Sequence, residues 1–193
     1  MSAPLRVSAV EAEAIGTILP RLCEILVDCV EGGASIGFIE PFGGEQAAAY
    51  WRRVERAVRA GRCVLLVAAL PGGEPLGTVQ LDVDTLPNQR HRAGVSKLLV
   101  HRGARGQGVG ESLMAAAERA AADAGRWLLT LDTATDAARR LYERMGWTLA
   151  GAIPRYAQNP DRSFTDTWLY WKALDTAPST DRRREPPSGA GPV

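Results

Sequence analysis

The chain has 193 residues, and 23 Lys+Arg against 22 Asp+Glu leave a net charge of +1 at neutral pH. That length suits one domain with extensions, large enough to bury a core without disulfide or metal staples, and the balanced charge argues against a broad cationic face for nucleic acid or anionic lipid. A composition of 46% hydrophobic and 23% charged residues is ordinary for a globular enzyme and too apolar for disorder.

In chain order, Leu5 to Val7 can begin a short strand, and Ser8-Ala9-Val10-Glu11 reads as a capping box opening a helix. Ile15, Leu19, Leu22, Leu26 and Cys29 follow at helical spacing, with Pro20 inside the stripe and a kink or break expected there. Residues 31–35 read as a loop. A second helix is expected from Glu45 to Ala60, with Ala47, Trp51, Val54 and Val58 inward and Gly61 as its stop. Cys63 to Leu70 and Leu76 to Val83 form a hairpin around a Pro/Gly turn. Asp84 to Arg92 is a polar loop, and Gly94 to Val100 a further strand. Val109 to Ala124 is a helix whose inner face carries Val109, Leu113, Ala117, Ala120 and Ala124. A strand follows at Trp127 to Leu131, and then a helix capped by Asp136 with Ala138, Leu141 and Met145 inward. Trp147 to Gly151 and Thr165 to Lys172 are the last two strands, around a loop at Ile153 to Phe164. The pattern predicts an α/β fold: a mixed central sheet of about seven strands with helices on both faces. The domain occupies residues 1–174, and the Pro- and Arg-containing stretch 175–193 reads as a disordered tail.

The longest apolar run, Cys63 to Leu70, is far short of the roughly 20 residues of a membrane span, and the first residues lack the apolar core of a signal peptide. Cys23, Cys29 and Cys63 sit in apolar contexts, which suits reduced thiols and a cytoplasmic protein. With two histidines and no CxxC, no metal site is expected.

The chemistry-bearing segment is Val95 to Gly110, where a strand runs into a glycine-rich turn that opens a helix. Free N–H groups and the positive end of the helix converge there, and glycines allow backbone to approach a diphosphate. Read on its glycines alone, the same stretch is equally an ordinary strand–turn–helix. It is not a Walker A loop, since no Gly-Lys-Ser/Thr follows, and it lacks the spacing of a Rossmann fingerprint.

Arg105-Gly106-Gln107-Gly108-Val109-Gly110 resembles the Gln/Arg-x-x-Gly-x-Gly/Ala signature of the GCN5-related N-acetyltransferase superfamily. Ala138-Arg139-Arg140-Leu141-Tyr142-Glu143-Arg144-Met145-Gly146-Trp147 is similar to its Ala-x-x-Leu-Tyr-x-x-x-Gly-Phe block, with Trp147 in the aromatic position. The resemblance implies acetyl-CoA as co-substrate, bound where the strands Gly94–Val100 and Trp127–Leu131 splay apart. Leu98, Leu99 and Val100 would hold the pantetheine like an added strand. Arg105, Gly106, Gln107, Gly108, Val109, Gly110 and Glu111 would hold the pyrophosphate, with Thr135 and Ala138 as further cofactor contacts. Two departures stand out: Gly94 occupies the place where many relatives carry a Glu base, and Thr135 replaces an Asn that often contacts CoA.

Tyr142 takes the family's general-acid position; without the family it is an aromatic on a helix. Asp132, at the end of its strand, is read equally as a water-mediated base or as a turn cap. Trp51, Phe38, Tyr156, Trp168 and Trp171 are candidates for an acceptor wall, though such aromatics are more often core. His101, beside Arg102 and Arg105, is left out of catalysis. The resemblance implies transfer of an acetyl group to a primary amine of a small molecule by direct attack, since no Cys–His or Ser–His nucleophile pair is evident. Nα-acetylation of a protein terminus and a catalytically silent acyl-CoA sensor are the alternatives. No nucleic-acid or membrane partner is expected, and a homodimer is left open.

Overall fold

The computed structural model describes residues 4–175; the expected tail, with its Arg182–Arg184 run, lies outside the described residues apart from Asp175. One sheet of seven strands has the order β1-β2-β3-β4-β5-β7-β6. Its strands are β1 (Arg6–Ala9), β2 (Cys63–Ala69), β3 (Pro75–Asp82), β4 (Arg92–Val100), β5 (Leu128–Thr133), β6 (Thr148–Gln158) and β7 (Phe164–Ala173). Every neighbouring pair is antiparallel except β4 and β5, which run parallel. The helices are α1 (Ala12–Glu31), α2 (Gly44–Arg59), α3 (Val109–Asp123) and α4 (Asp136–Arg144).

Alternation along the strands divides the core in two. Leu65, Val67 and Leu99 face α1 and α2, where they pack with Ile15, Leu22, Leu26 and Trp51. Leu66, Val79, Leu81, Val95, Leu129 and Leu131 point the other way, against Leu113, Met114 and Ala117 of α3 and Tyr142 of α4. Each fully buried Leu or Ile contributes about 1.5–3 kcal/mol by leaving water. A Cβ on Gly77 of β3 would lie 2.5 Å from the Leu99 carbonyl oxygen and 3.2 Å from Leu113, so only glycine fits between β4 and α3.

Several local expectations are corrected. Ser8 pairs with Val67 inside β1, and Glu11 occupies the N-cap of α1 without a side-chain bond, so no capping box forms. The helix continues through Pro20, which is exposed. On α3, Ala116 and Ala121 are buried while Ala124 caps the end in solvent. Thr135, not Asp136, caps α4: its hydroxyl accepts the Ala138 N–H at 3.3 Å. Asp132 lies inside β5 opposite Leu169, because pairing with β7 carries the strand past Leu131. The expected loop from Ile153 is strand, with β6 reaching Gln158 and only residues 159–163 turning. Extra residues between Ile153 and Ala157, with Arg155 at φ 51°, form a bulge that hid this strand's alternation.

Candidate active site

The parallel pairing of β4 with β5 is confined to Arg92↔Leu128, Ala93↔Leu129 and Gly94↔Thr130. Beyond Gly94 the strands part, while β4 stays paired to β3 through Val100. Residues Val95 to Val100 therefore present backbone toward the splay with no β5 partner. Within this stretch β4 carries one extra residue: Gln80 pairs with Ser96 but Thr78 with Leu99, and Lys97 adopts φ 52°. The Thr78 hydroxyl donates to the Lys97 carbonyl at 3.4 Å, turning that carbonyl toward β3. A bulge at this point redirects the following amides into the open splay.

After β4 the chain makes a single 3-10 turn at Arg102–Ala104 and enters α3 through Gly108, which has φ 77° and no side-chain cap. A side chain at Gly108 would strain this left-handed turn. The first N–H groups of α3 lack carbonyl partners by helix geometry and aim at one point with the positive end of the helix dipole. Together β4, this turn, α3 and α4 enclose a cavity of about 640 Å³. Of the predicted cofactor residues, Leu98, Leu99, Val100, Arg105, Gly106, Gly108, Val109, Gly110, Glu111, Thr135 and Ala138 line it. Gln107 does not; its amide instead donates to the Gly103 carbonyl at 3.0 Å and braces the turn. A long anionic thioester fits this donor set: an unpaired strand edge for its amides and an uncapped helix start for its phosphates.

The turn is anchored by a residue that belongs to neither motif. Asp28 of α1, 8% exposed, accepts the Arg102 main-chain N–H at 2.9 Å and also bonds the Arg102 guanidinium. Arg105 reaches to 3.7 Å of the same carboxylate and donates to the Val100 carbonyl at 3.1 Å. Burial pulls the Asp28 pKa up, but the Arg102 N–H and guanidinium and the nearby His101 outweigh it and hold the carboxyl below its ordinary value. His101 accepts the Gly103 N–H through Nδ1, a structural placement.

Tyr142 is 5% exposed and packs between Trp147 and Tyr170, with ring centroids 6.0 and 5.9 Å away. Burial, with the Asp132 carboxylate adding to it, pushes its phenol pKa well above the ordinary tyrosine value. It therefore keeps its proton at neutral pH. Ala138 and Leu141 of the same helix line the cofactor cavity, but Tyr142 is not among its lining residues.

Asp132 lines a separate cavity of about 240 Å³ on the α1–α2 side of the splay, together with Asp82, Gly94, Ser96 and Thr130. Asp82 carries no motif that would single it out in the sequence. It is the cross-strand partner of Gly94, and a Cβ on Gly94 would lie 3.8 Å from the Asp82 Cβ, so this carboxylate stands beside the position that lacks a Glu. Only the β3–β4 register reveals it.

Of the expected acceptor aromatics, Phe38 lines a cavity of about 350 Å³ together with Phe42, Tyr50 and Arg53. The other candidates sit elsewhere. Trp51 is fully buried and donates to the Leu22 carbonyl at 2.9 Å. Trp168 lies under the Arg139 guanidinium at 4.4 Å, Trp171 pairs with Thr130 and Thr148 in the sheet, and Tyr156 projects from β6 at 57% exposure. Among the described residues no helix is long and apolar enough to cross a membrane, and no three His, Cys, Asp or Glu side chains cluster as metal ligands would.

A parallel strand pair that splays beside a bulge and leads into a glycine-started helix is the frame of this candidate site. The sequence model of the acetyltransferase (GNAT) family matches residues 20–147, and the chain belongs to that family. Solved structures agree on the fold. A phosphinothricin acetyltransferase of the GNAT superfamily from Sinorhizobium meliloti, determined with acetyl-CoA, superposes with a TM-score of 0.73 at 20% identity, covering 90% of this chain and 89% of that one. Ribosomal-protein-alanine N-acetyltransferase from Brucella melitensis gives 0.71 at 23% identity, covering 88% and 99%. A GCN5-related N-acetyltransferase from Kribbella flavida gives 0.70 at 22%, covering 88% and 98%. The chain is thus a member of an acetyltransferase family, and one of its fold neighbours was determined with acetyl-CoA.

Proposed function

We propose that this acetyltransferase acts on the primary amine of a small molecule, which attacks the thioester directly in a ternary complex. The observation that carries this reading is the cavity of about 350 Å³ walled by Phe38, Phe42 and Tyr50, a volume suited to a small ligand. Acetyl-CoA supplies the activated acyl group. Within the chain, the β4 edge at Leu98 to Val100 positions the pantetheine, and the start of α3 at Gly106 to Glu111 takes the pyrophosphate. Asp132 and Asp82 offer carboxylates to the proton of the attacking amine, and Tyr142, kept protonated by burial, supplies a proton to the departing thiolate. Asp132 thus takes the base reading, and Thr135 the capping role in the turn that follows.

Short stretches support a toxin- or antibiotic-modifying role in self-protection. Gly32 to Phe38, Lys97 to Val100, Leu131 to Thr133 and Pro154 to Tyr156 are similar to the tabtoxin resistance protein, and one of the fold neighbours is a phosphinothricin acetyltransferase. Three free thiols suit a reducing cytoplasm. A second reading, acetylation of a protein N-terminus, is favoured by the Brucella neighbour. An assay of free thiol released from acetyl-CoA, run with small amines and with peptides bearing a free N-terminus, separates the two. Turnover on peptides alone overturns the small-molecule reading, and no turnover on either leaves the silent sensor.

A further inference from the structure

Two cations on the acceptor side lie outside ion-pair distance of any carboxylate among the described residues, although Asp132 acts on Lys97 from farther away. Neither Arg53 of α2 nor Lys97 of β4 takes part in any ion pair among the described residues. The chain has only one other lysine, Lys172, and that one is held by Glu118 at 2.8 Å. Instead of carboxylates, both cations lie on aromatic rings. The Arg53 guanidinium is 5.5 Å from the Tyr50 ring centroid, and the Lys97 ammonium is 5.8 Å from that of Phe38. These rings touch edge to face, 5.3 Å apart, and both line the 350 Å³ cavity together with Arg53. Lys97 adjoins it, since a Cβ on the lining residue Gly37 would lie 3.9 Å from its Nζ.

The rings are fixed in turn. The Gln80 amide donates to the Tyr50 hydroxyl at 2.8 Å, and Phe38 packs against Phe42 in a tilted pair with centroids 4.5 Å apart. Lys97 owes its position to the β4 bulge. Burial lowers its pKa, Asp132 works against that, and the like charge of Arg53 adds to it. Two like charges, Arg53 lining and Lys97 adjoining an open, aromatic-walled cavity, form a site for an oxyanion, which relieves the repulsion and meets a planar guanidinium in two bonds. The neighbouring cavity carries the opposite sign, through Asp82 and Asp132. The acceptor side is therefore bipolar, with cations between α2 and the β4 bulge and carboxylates at the splay.

We propose that the acceptor is zwitterionic: an amino acid or amino-acid analogue whose carboxylate is bound by Arg53 and Lys97 while its amine faces Asp132 and Asp82. This rests on the small-molecule reading above and narrows it to one charge class. It places specificity on two residues outside both sequence motifs. Simple amines and polyamines, which lack an anion for this site, are poor acceptors.

The test uses matched acceptors: a panel of amino acids, each with its carboxamide and its decarboxylated amine. Thiol release from acetyl-CoA reports transfer, and calorimetry with CoA present reports acceptor binding. The expected result is a preference for the carboxylate member on the order of tenfold to a hundredfold in kcat/KM, the usual weight of charged hydrogen bonds. Arg53→Gln and Lys97→Gln should each erase most of that preference through the acceptor KM, with acetyl-CoA affinity unchanged. Lys97→Glu should turn the preference toward diamines. Equal use of acid, amide and amine overturns the proposal, as do variants with an unaltered acceptor KM. Carboxylate-dependent binding without turnover would uphold the zwitterion site and overturn small-molecule transfer instead, and absence of carboxylate-dependent binding and transfer alike overturns the site.

Discussion

Asp28 accepts the main-chain N–H of Arg102, 74 residues away, at 2.9 Å, and this one bond ties α1 to the start of the glycine turn. The same carboxylate holds the Arg102 guanidinium and approaches Arg105, so one buried anion gathers the basic residues beside the cofactor cavity. Asp28→Asn keeps the shape and removes the charge. The KM for acetyl-CoA should rise about tenfold, the weight of one charged hydrogen bond, with a smaller change in kcat. An unchanged KM would make Asp28 a packing residue.

The same carboxylate gives a pH dependence with a defined sign. Its folded pKa lies below the ordinary value of 3.8, so the ionised form stabilises the fold. That contribution is complete above about pH 5 and is lost as pH falls through the folded value. Denaturation of wild type and Asp28→Asn should show a stability gap at about pH 7 that closes below about pH 4. A gap that stays constant as the acid range is crossed would mean that the lost interaction is not charge-dependent.

Gly108 begins α3 with φ 77° at the wall of the cofactor cavity, where an added Cβ would meet no neighbouring atom within 4 Å. Space is therefore available, and although any side chain strains this left-handed turn, Asp tolerates it at a cost of about 1–2 kcal/mol, so Gly108→Asp should fold. Its carboxylate would stand where phosphate negative charge is expected, so calorimetry should detect no CoA binding. Wild-type affinity in the folded variant would remove Gly106 to Gly110 from the pyrophosphate site.

Much of this site was legible from residues alone. Strand, glycine turn and helix between Val95 and Gly110 are local features, and local periodicity placed them correctly. What was not legible depends on pairing between distant strands. Asp82 enters the site only through its register opposite Gly94, and Asp28 only through the packing of α1 on the turn. The β6 bulge at Arg155 broke a period-two pattern and made a strand resemble a loop. Gln107 sits in the motif and so reads as a cofactor residue, whereas its amide faces back to Gly103.

Tyr142 separates chemistry from packing unusually well. Its ring is buried against Trp147 and Tyr170, and its hydroxyl has no hydrogen-bond partner among the described residues. Tyr142→Phe should therefore leave the melting temperature within about 2 °C, since the packing surface is kept. The proton donor is lost, so kcat should fall about 10²–10⁴-fold while the KM for acetyl-CoA changes little. A wild-type kcat in this variant would reassign Tyr142 to the core.

The last prediction concerns the two carboxylates at the splay. An aliphatic amine with a pKa of about 10.4 is neutral in only about one molecule in 2,500 at pH 7, a deficit of about 4.6 kcal/mol that a base can offset. Gly94 provides no carboxylate, but Asp132 and Asp82 line the same cavity beside it. Asp132 also acts electrostatically on both Tyr142 and Lys97, the expected acid and one of the acceptor-side cations. Asp132→Asn should lower kcat/KM for the amine about a hundredfold or more at pH 7, and the loss should shrink toward about pH 10 as neutral amine becomes abundant. Asp82→Asn should cost less at every pH, because its carboxylate also accepts the Asp84 N–H at 3.0 Å and is partly committed to that turn. Acetyl-CoA affinity should hold in both variants, since neither residue lines the cofactor cavity. A larger, pH-dependent loss in Asp82→Asn would transfer the base to β3. A flat ratio of mutant to wild-type rates from about pH 7 to about pH 10 in both would leave proton removal to backbone carbonyls and water.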